Sequence, residues 1–437
     1  MSEQELVSLV CCDLGAIVRG RSLFSSELAG AEASGVGWVP ANHALTPLGP
    51  VAETNPYGST GDLRLLPDPS TRVRVEAAPG GGALELLLCD IVETDGRPWE
   101  CCPRQFLREA LSELEAEFGG RLIASFEHEF QLLEDSSAAL PFSLEAQRRG
   151  EPFVTRAMGA LAQAGVEPER IFPEYAPHQF EIPVAPAEGI ASADRAVVLR
   201  EVVREVARRE GTRASFAPLL DVAQAGNGVH IHLSVIDRDG APLFYDPARR
   251  AHLSEAGERF AAGILAHARG LTALTAPSPV SATRLQPHRW SAGAMCLAEQ
   301  NREALLRIPP LVELAGADPA RQLRLEYRGA DATANPYLAL GALVRAGLDG
   351  VRSRLPAPPI LDCDPAELEG PEVERFGVGA LPDSLEESMR ALSEDATARS
   401  WMGSLLYDAY VSVKQAEIEA ARDVDVKELC ARYAAIY

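Results

Sequence analysis

The chain has 437 residues, 46% hydrophobic and 24% charged, a length and balance that allow a large buried core and more than one domain. Its 41 basic and 63 acidic residues leave a net charge of -22, a surface that repels phosphate backbones and anionic lipid and so excludes nucleic acid and membranes as partners. No apolar run nears the roughly 20 residues that span a bilayer. Within Met1–Gly20 the short apolar run Leu6–Cys12 has no basic residue before it and is interrupted by Asp13, unlike a secretory leader. The eight cysteines include the adjacent pairs Cys11-Cys12 and Cys101-Cys102 and no C-x-x-C, so reduced structural thiols and a cytoplasmic location are expected.

In chain order, Leu6 to Asp13 reads as a buried strand, and the Gly-, Pro- and Asn-rich stretch from Gly30 to Gly61 as loop with short strands. Strand patterns return at Leu63–Leu66 and Leu84–Ile91, and Asp95-Gly96-Arg97-Pro98 closes the unit as a turn. Residues 1–102 therefore read as a small β-rich domain and 103–437 as a larger one. Pro103 opens an amphipathic helix with Phe106, Leu107, Leu111, Leu114 and Phe118 on one face, and Gly119-Gly120 ends it. Strands are predicted at Ile123–Leu133, Gln179–Val184, Gly228–Val235 and Gln322–Arg328. Helices are predicted at Pro152–Ala164, Ser192–Glu210, Ser254–Thr275, Pro336–Gly350 and Leu385–Leu392, and over most of Leu406–Tyr437.

The predicted strands carry the chemistry. Side chains at i and i+2 share one face of a strand, so Glu127 projects with Glu129, His230 with His232, and Glu326 with Arg328. Glu174 and Glu181 bracket a bend at Pro177. Five carboxylates and one imidazole converging inside a domain repel one another unless cations sit among them. Oxygen-rich donors with a single histidine suit magnesium or manganese, and six ligands suffice for two sites once water completes the shells. Arg284, Arg302, Arg307, Arg321, Arg324 and Arg328 fall close together in an otherwise acidic chain. Guanidinium forks grip carboxylate and phosphate oxygens. Paired metals among arginines point to phosphoryl transfer.

The ordered set Glu127-x-Glu129, Glu174-x6-Glu181, Gly226-Asn-Gly-x-His-x-His-x-Ser234, Arg284-Leu-x-Pro287, Asn301-Arg-x4-Arg307, Glu326-x-Arg328 and Ala334-Asn-Pro-Tyr-Leu-Ala339 resembles glutamine synthetase over nearly the whole chain. Asp62–Thr71 resembles part of that family's first domain. The resemblance implies an α+β fold: a small N-terminal β-grasp-like domain, then a catalytic domain on an antiparallel, partly barrel-like sheet with helices outside. It implies ATP as co-substrate with two or more Mg2+ or Mn2+ ions, and ring-shaped homo-oligomers up to a dodecamer. Glu129, Glu174 and Glu181 would hold the metal on the glutamate side; Glu127, His230 and Glu326 would hold the metal bridging the ATP phosphates. Arg284, Arg302 and Arg328 would be catalytic. Gly226, Glu129, Arg284 and Arg328 would contact glutamate. His232, Ser234, Arg302, Arg307, Arg321 and Arg324 would surround the nucleotide, Arg321 standing where many relatives have lysine.

Two departures bear on the amine. Glutamine synthetases draw in ammonium with a first-domain aspartate and a flap glutamate, but here no aspartate occurs between Asp13 and Asp62, and the flap reads Pro287-His-Arg-Trp290-Ser-Ala-Gly293. Trp290 then faces the amine and leaves an apolar pocket. A carboxylate both attracts and deprotonates ammonium, so its loss favours a γ-glutamylamine (glutamate–amine) ligase joining glutamate to an organic amine. An ammonium-using enzyme, with Glu53 supplying the charge, and a ligase for another carboxylic acid are the alternatives. Arg375–Pro382 contains no tyrosine, so regulation by nucleotidylation of such a loop is not expected.

Overall fold

The computed structural model describes residues 5–76, 82–133 and 139–437; Met1–Gln4, the start of the N-terminal stretch read above, lie outside them. The first sheet contains β1 (Leu6–Cys12), β2 (Val18–Phe24), β3 (Val36–Trp38), β4 (Leu63–Pro67), β5 (Val73–Val75) and β6 (Leu84–Glu93). Its order is β2-β1-β6-β4-β3, with β5 also on β6, and β1 runs parallel to β6. β2 is absent from the sequence reading because it is a largely exposed edge strand, Val-Arg-Gly-Arg-Ser-Leu-Phe, with little apolar signal. Between Gly30 and Gly61 the chain is more helical than expected, with a helix over Leu28–Ser34, a 3-10 turn over Pro40–Ala44 and only β3 as a strand.

The second sheet holds β7 (Arg121–Leu132), β8 (Phe172–Pro173), β9 (Gln179–Ile182), β10 (Ala187–Glu188), β11 (Ala214–Ser215), β12 (Val229–Ile236), β13 (Ala294–Glu299), β14 (Ala304–Ile308), β15 (Leu325–Ala330) and β16 (Ile360–Leu361). The order is β16-β13-β14-β15-β12-β7-β9-β8, with β10 and β11 also on β7. This curled sheet is antiparallel except at one edge, where β13 runs parallel to β14 and to β16. On β7, Leu122, Ala124, Phe126, His128, Phe130 and Leu132 are buried toward the helices, so Glu127 and Glu129 turn to the opposite face. The fold is α+β, with the helices outside the second sheet.

Further elements of the second domain differ from the sequence reading. The helix expected over Ser254–Thr275 breaks at His267 into Glu255–Ala266 and Ala268–Thr275. Its imidazole sits between Asp349 (3.1 Å) and Asp395 (2.6 Å), a tertiary contact that periodicity does not show. Gln322 ends the short helix Pro319–Gln322 rather than opening β15. β13 and β14 were not anticipated, because their small and apolar residues carry no alternation.

The two sheets are tied together by buried polar groups. Arg104 donates to Asp194 and Asp90 at 2.8 Å and to Asp68 at 3.2 Å, and the Tyr337 hydroxyl donates to Asp194 at 2.6 Å. Such a buried cation persists only when its partners are complete. Asn335 caps the helix Pro336–Arg352 and also donates to the carbonyls of Cys12 (3.1 Å) and Asp13 (2.9 Å). The eight cysteines are all free. Among the described residues no helix is long and apolar enough to cross a membrane.

Candidate active site

Strand register brings the charged pairs into one band. Glu129 on β7 lies opposite Glu181 on β9, and Glu127 opposite His230 on β12. His232 lies opposite Glu326 on β15, and Glu326 opposite Arg307 on β14. Like charges directly across a ladder destabilise it, so the Glu129–Glu181 pair is an arrangement that needs a positive partner.

This band floors a cavity of about 460 Å3. Lining it are Glu127, Glu129, Glu174, Glu181, His230, His232, Glu326, Gly226, Trp290, Arg302, Arg307, Arg324 and Arg328, all singled out from the sequence. Ligand atoms of Glu127, Glu181 and His230 lie within 4.8 Å of one another, as do those of Glu127, His232 and Glu326. Glu127 thus belongs to both triplets, and His232 joins the metal-competent donors, whereas the resemblance divides the six ligands differently. Glu129 and Glu174 stand beside them in the cavity wall.

The electrostatics fit divalent ions. Burial, then the neighbouring Glu129, pushes Glu174 up to about 8. Burial and the charges of Glu127, Glu129 and Glu174 push Glu181 well above the carboxylate range. A metal ion would relieve both. Burial also opposes the charge on Glu127, but His232 and His230 outweigh it and hold that carboxyl well below its usual range. Glu326 is brought down to about 2 against the cost of burial by His230, Arg328, His232 and Arg307. The donor set is carboxylate-rich with imidazole, and it suits magnesium or manganese.

The arginines divide by position. Arg307 donates to Glu326 at 2.7 Å, while its Nε is buried without a partner among the described residues, leaving donor capacity for an anion. Arg328 is clamped by Glu326 and donates through Nε to the Arg302 carbonyl at 2.9 Å. Arg324 Nε donates to His232 Nδ1 at 3.0 Å, which leaves His232 Nε2 to face Glu127 Oε1, also at 3.0 Å. Arg284 is buried behind the glycine loop, not in the cavity wall, and donates to the Ala330 carbonyl at 2.8 Å. The loop lies so close that a Cβ on Gly226 would meet the Pro218 carbonyl oxygen at 2.3 Å and Arg284 Cγ at 2.8 Å. Ser234 and Arg321 also lie outside the wall; Arg321, its side chain 80% exposed, faces Asp318 at 3.7 Å.

Several wall residues were not singled out from the sequence. Gln179 donates to the Gly226 carbonyl and to Asn227 Oδ1 at 2.9 Å, and to Glu129 at 3.3 Å, so it braces the glycine loop against β7. Its signal was its place two residues before Glu181 on one strand face. Phe142, Glu169, Arg170, Tyr175 and Arg289 also line the cavity, from loops without periodicity. In the flap, Trp290 stacks on Tyr175 at 5.1 Å, and its carbonyl accepts from Arg328 at 3.4 Å.

Comparison with known proteins agrees with this geometry. Residues 1–99 match the glutamine synthetase N-terminal domain and residues 100–431 the glutamine synthetase catalytic domain. The chain is 35% identical over 437 residues to gamma-glutamylpolyamine synthetase GlnA3 of Streptomyces coelicolor, covering 98% of this chain and 92% of that protein. It is 32% identical to glutamine synthetase of Thermus thermophilus, covering 86% and 85%. A solved structure described as a novel glutamine synthase homolog superposes with a TM-score of 0.92 at 45% identity, covering 100% and 99% of the two chains. Apo GmaS superposes with a TM-score of 0.82 at 26% identity, covering 97% and 94%. Sequence, fold and the arrangement of carboxylates, imidazoles and arginines agree: the chain belongs to the glutamine synthetase family of ATP-dependent ligases.

Proposed function

We propose that the protein joins the side-chain carboxyl of glutamate to an organic amine at the expense of ATP, forming a γ-glutamyl amide through γ-glutamyl phosphate. The observation that carries this reading is the flap. It contributes Arg289 and Trp290 to the cavity wall and no carboxylate. No flap carboxylate therefore lines the cavity to attract ammonium or accept its proton. The 35% identity to a gamma-glutamylpolyamine synthetase supports the same reading.

Magnesium or manganese, held by Glu129, Glu174 and Glu181 on one side and Glu127, His230 and Glu326 on the other, would neutralise phosphate charge. Arg302, Arg307 and Arg324 would bind the nucleotide phosphates with His232, and Arg328, locked by Glu326, would hold the carboxylate being phosphorylated. A glutamate side-chain oxygen attacks the terminal phosphorus and ADP leaves. The amine nitrogen then attacks the carbonyl carbon, the carbon–oxygen bond to phosphate breaks, and the nitrogen gives up a proton. Gly226 would lie against the amino acid, with Arg284 supporting the loop from behind. Ser234 and Arg321 would meet the nucleotide from outside the wall. The flap would exclude water from the acyl phosphate. The domain division at residue 102 and assembly as a ring belong to the same reading.

The test is turnover with ATP, magnesium, glutamate and a panel of amines, reading phosphate release and product mass. A γ-glutamyl product with an organic amine and little with ammonium is expected. Ammonium as the best substrate would overturn the reading. Amine-dependent turnover with an acid other than glutamate, and none with glutamate, would overturn its acid half.

A further inference from the structure

Three large aromatic side chains meet on the cavity wall from three separate loops. Phe142 precedes the helix Leu144–Arg149, Tyr175 lies in the β8–β9 turn beside Glu174, and Trp290 is in the flap. The Phe142 and Tyr175 rings are edge to face at 4.8 Å, and Tyr175 and Trp290 are stacked at 5.1 Å. Despite these contacts they remain 52%, 39% and 55% exposed, respectively. A contiguous aromatic surface left to water in a cavity is a surface that a ligand covers. Phe142 and Trp290 also hold φ at 55° and 57°, the left-handed region that bulky residues rarely occupy.

We infer that Phe142, Tyr175 and Trp290 form the subsite for the carbon skeleton of the amine, and that they select primary amines bearing an aromatic ring over short alkylamines. This rests on the glutamate–amine ligase reading above. A flat ring laid on this wall gains edge-to-face and offset contacts that a methyl group does not.

The experiment measures kcat/KM for benzylamine, methylamine and putrescine with ATP, magnesium and glutamate, and takes the ratio of benzylamine to methylamine. The ratio cancels changes in folding and in glutamate or ATP handling. It is expected to be about 100-fold in the wild type and to fall roughly 10-fold in Tyr175→Ala and in Phe142→Ala, while Tyr175→Phe retains it. Methylamine or putrescine as the preferred substrate, or a ratio unchanged in Tyr175→Ala, would overturn the aromatic subsite and leave the ligase reading standing. Absence of turnover with every amine would overturn the ligase reading and this inference together.

Discussion

One wall of the cavity is sheet and the other is loop, and the two differ in how accurately the chain places them. On the sheet, Glu181, Glu129, Glu127, His230, His232, Glu326 and Arg307 are set by the pairing of five adjacent strands. A one-residue slip would turn a whole set of side chains to the other face. On the loop wall, Phe142, Tyr175 and Trp290 meet from segments more than thirty residues apart, in contact with one another and with the Trp290 carbonyl tethered by Arg328. The proposed phosphoryl chemistry tolerates little displacement and would sit on the rigid wall. The proposed choice of amine, which can change with a loop residue, would sit on the adaptable one.

The largest expected effect breaks the sheet wall. Glu326→Ala removes a proposed metal ligand and the clamp on Arg307 and Arg328, and should lower kcat by about 1000-fold or more with the fold retained. Phosphate release and circular dichroism check the two halves of that statement. Arg307→Ala should lower kcat roughly 100-fold; a change confined to the KM for ATP would limit this residue to ground-state binding.

A third prediction concerns stability. Glu174 has an ordinary value of 4.5 and is raised to about 8 in the fold, so the folded state binds its proton more tightly than the unfolded chain does. Its contribution is complete below pH 4.5 and is lost as pH rises through about 8. Thermal melts of metal-free protein should therefore show stability declining over that window. Glu174→Gln should flatten the decline, and magnesium should offset it at the alkaline end. A melting temperature that rises from pH 5 to 8 without metal would contradict this account. The smallest effect is on the loop wall: Trp290→Glu should improve kcat/KM for ammonium about 10-fold, by restoring a charge that attracts it. No gain would mean that the flap alone does not set the choice between ammonium and larger amines.

The parts legible in the sequence were those with local repeats. The helix over Pro103–Phe118 and the ionisable pairs on β7 and β12 follow from period and spacing, because side-chain direction along an element is a local property. Elements set by distant partners were not legible. The break at His267 depends on Asp349 and Asp395, and β2 is a strand because β1 offers it an edge. Arg284 was read as one of a cluster of arginines, yet its guanidinium is buried behind Gly226 and Gly228 while Arg307 and Arg328 face the cavity.

By itself the sequence determined which residues could carry the chemistry: carboxylates and histidines two apart on strands, arginines grouped in an acidic chain, and a flap with tryptophan in place of a carboxylate. Only the tertiary structure decided which of them share a cavity, that Glu127 stands between two histidines, and that Phe142 and Tyr175 join Trp290 in one aromatic surface. The physical reason is range. Strand pleat and helix period act over a few residues, whereas strand register and loop convergence depend on burying the core as a whole.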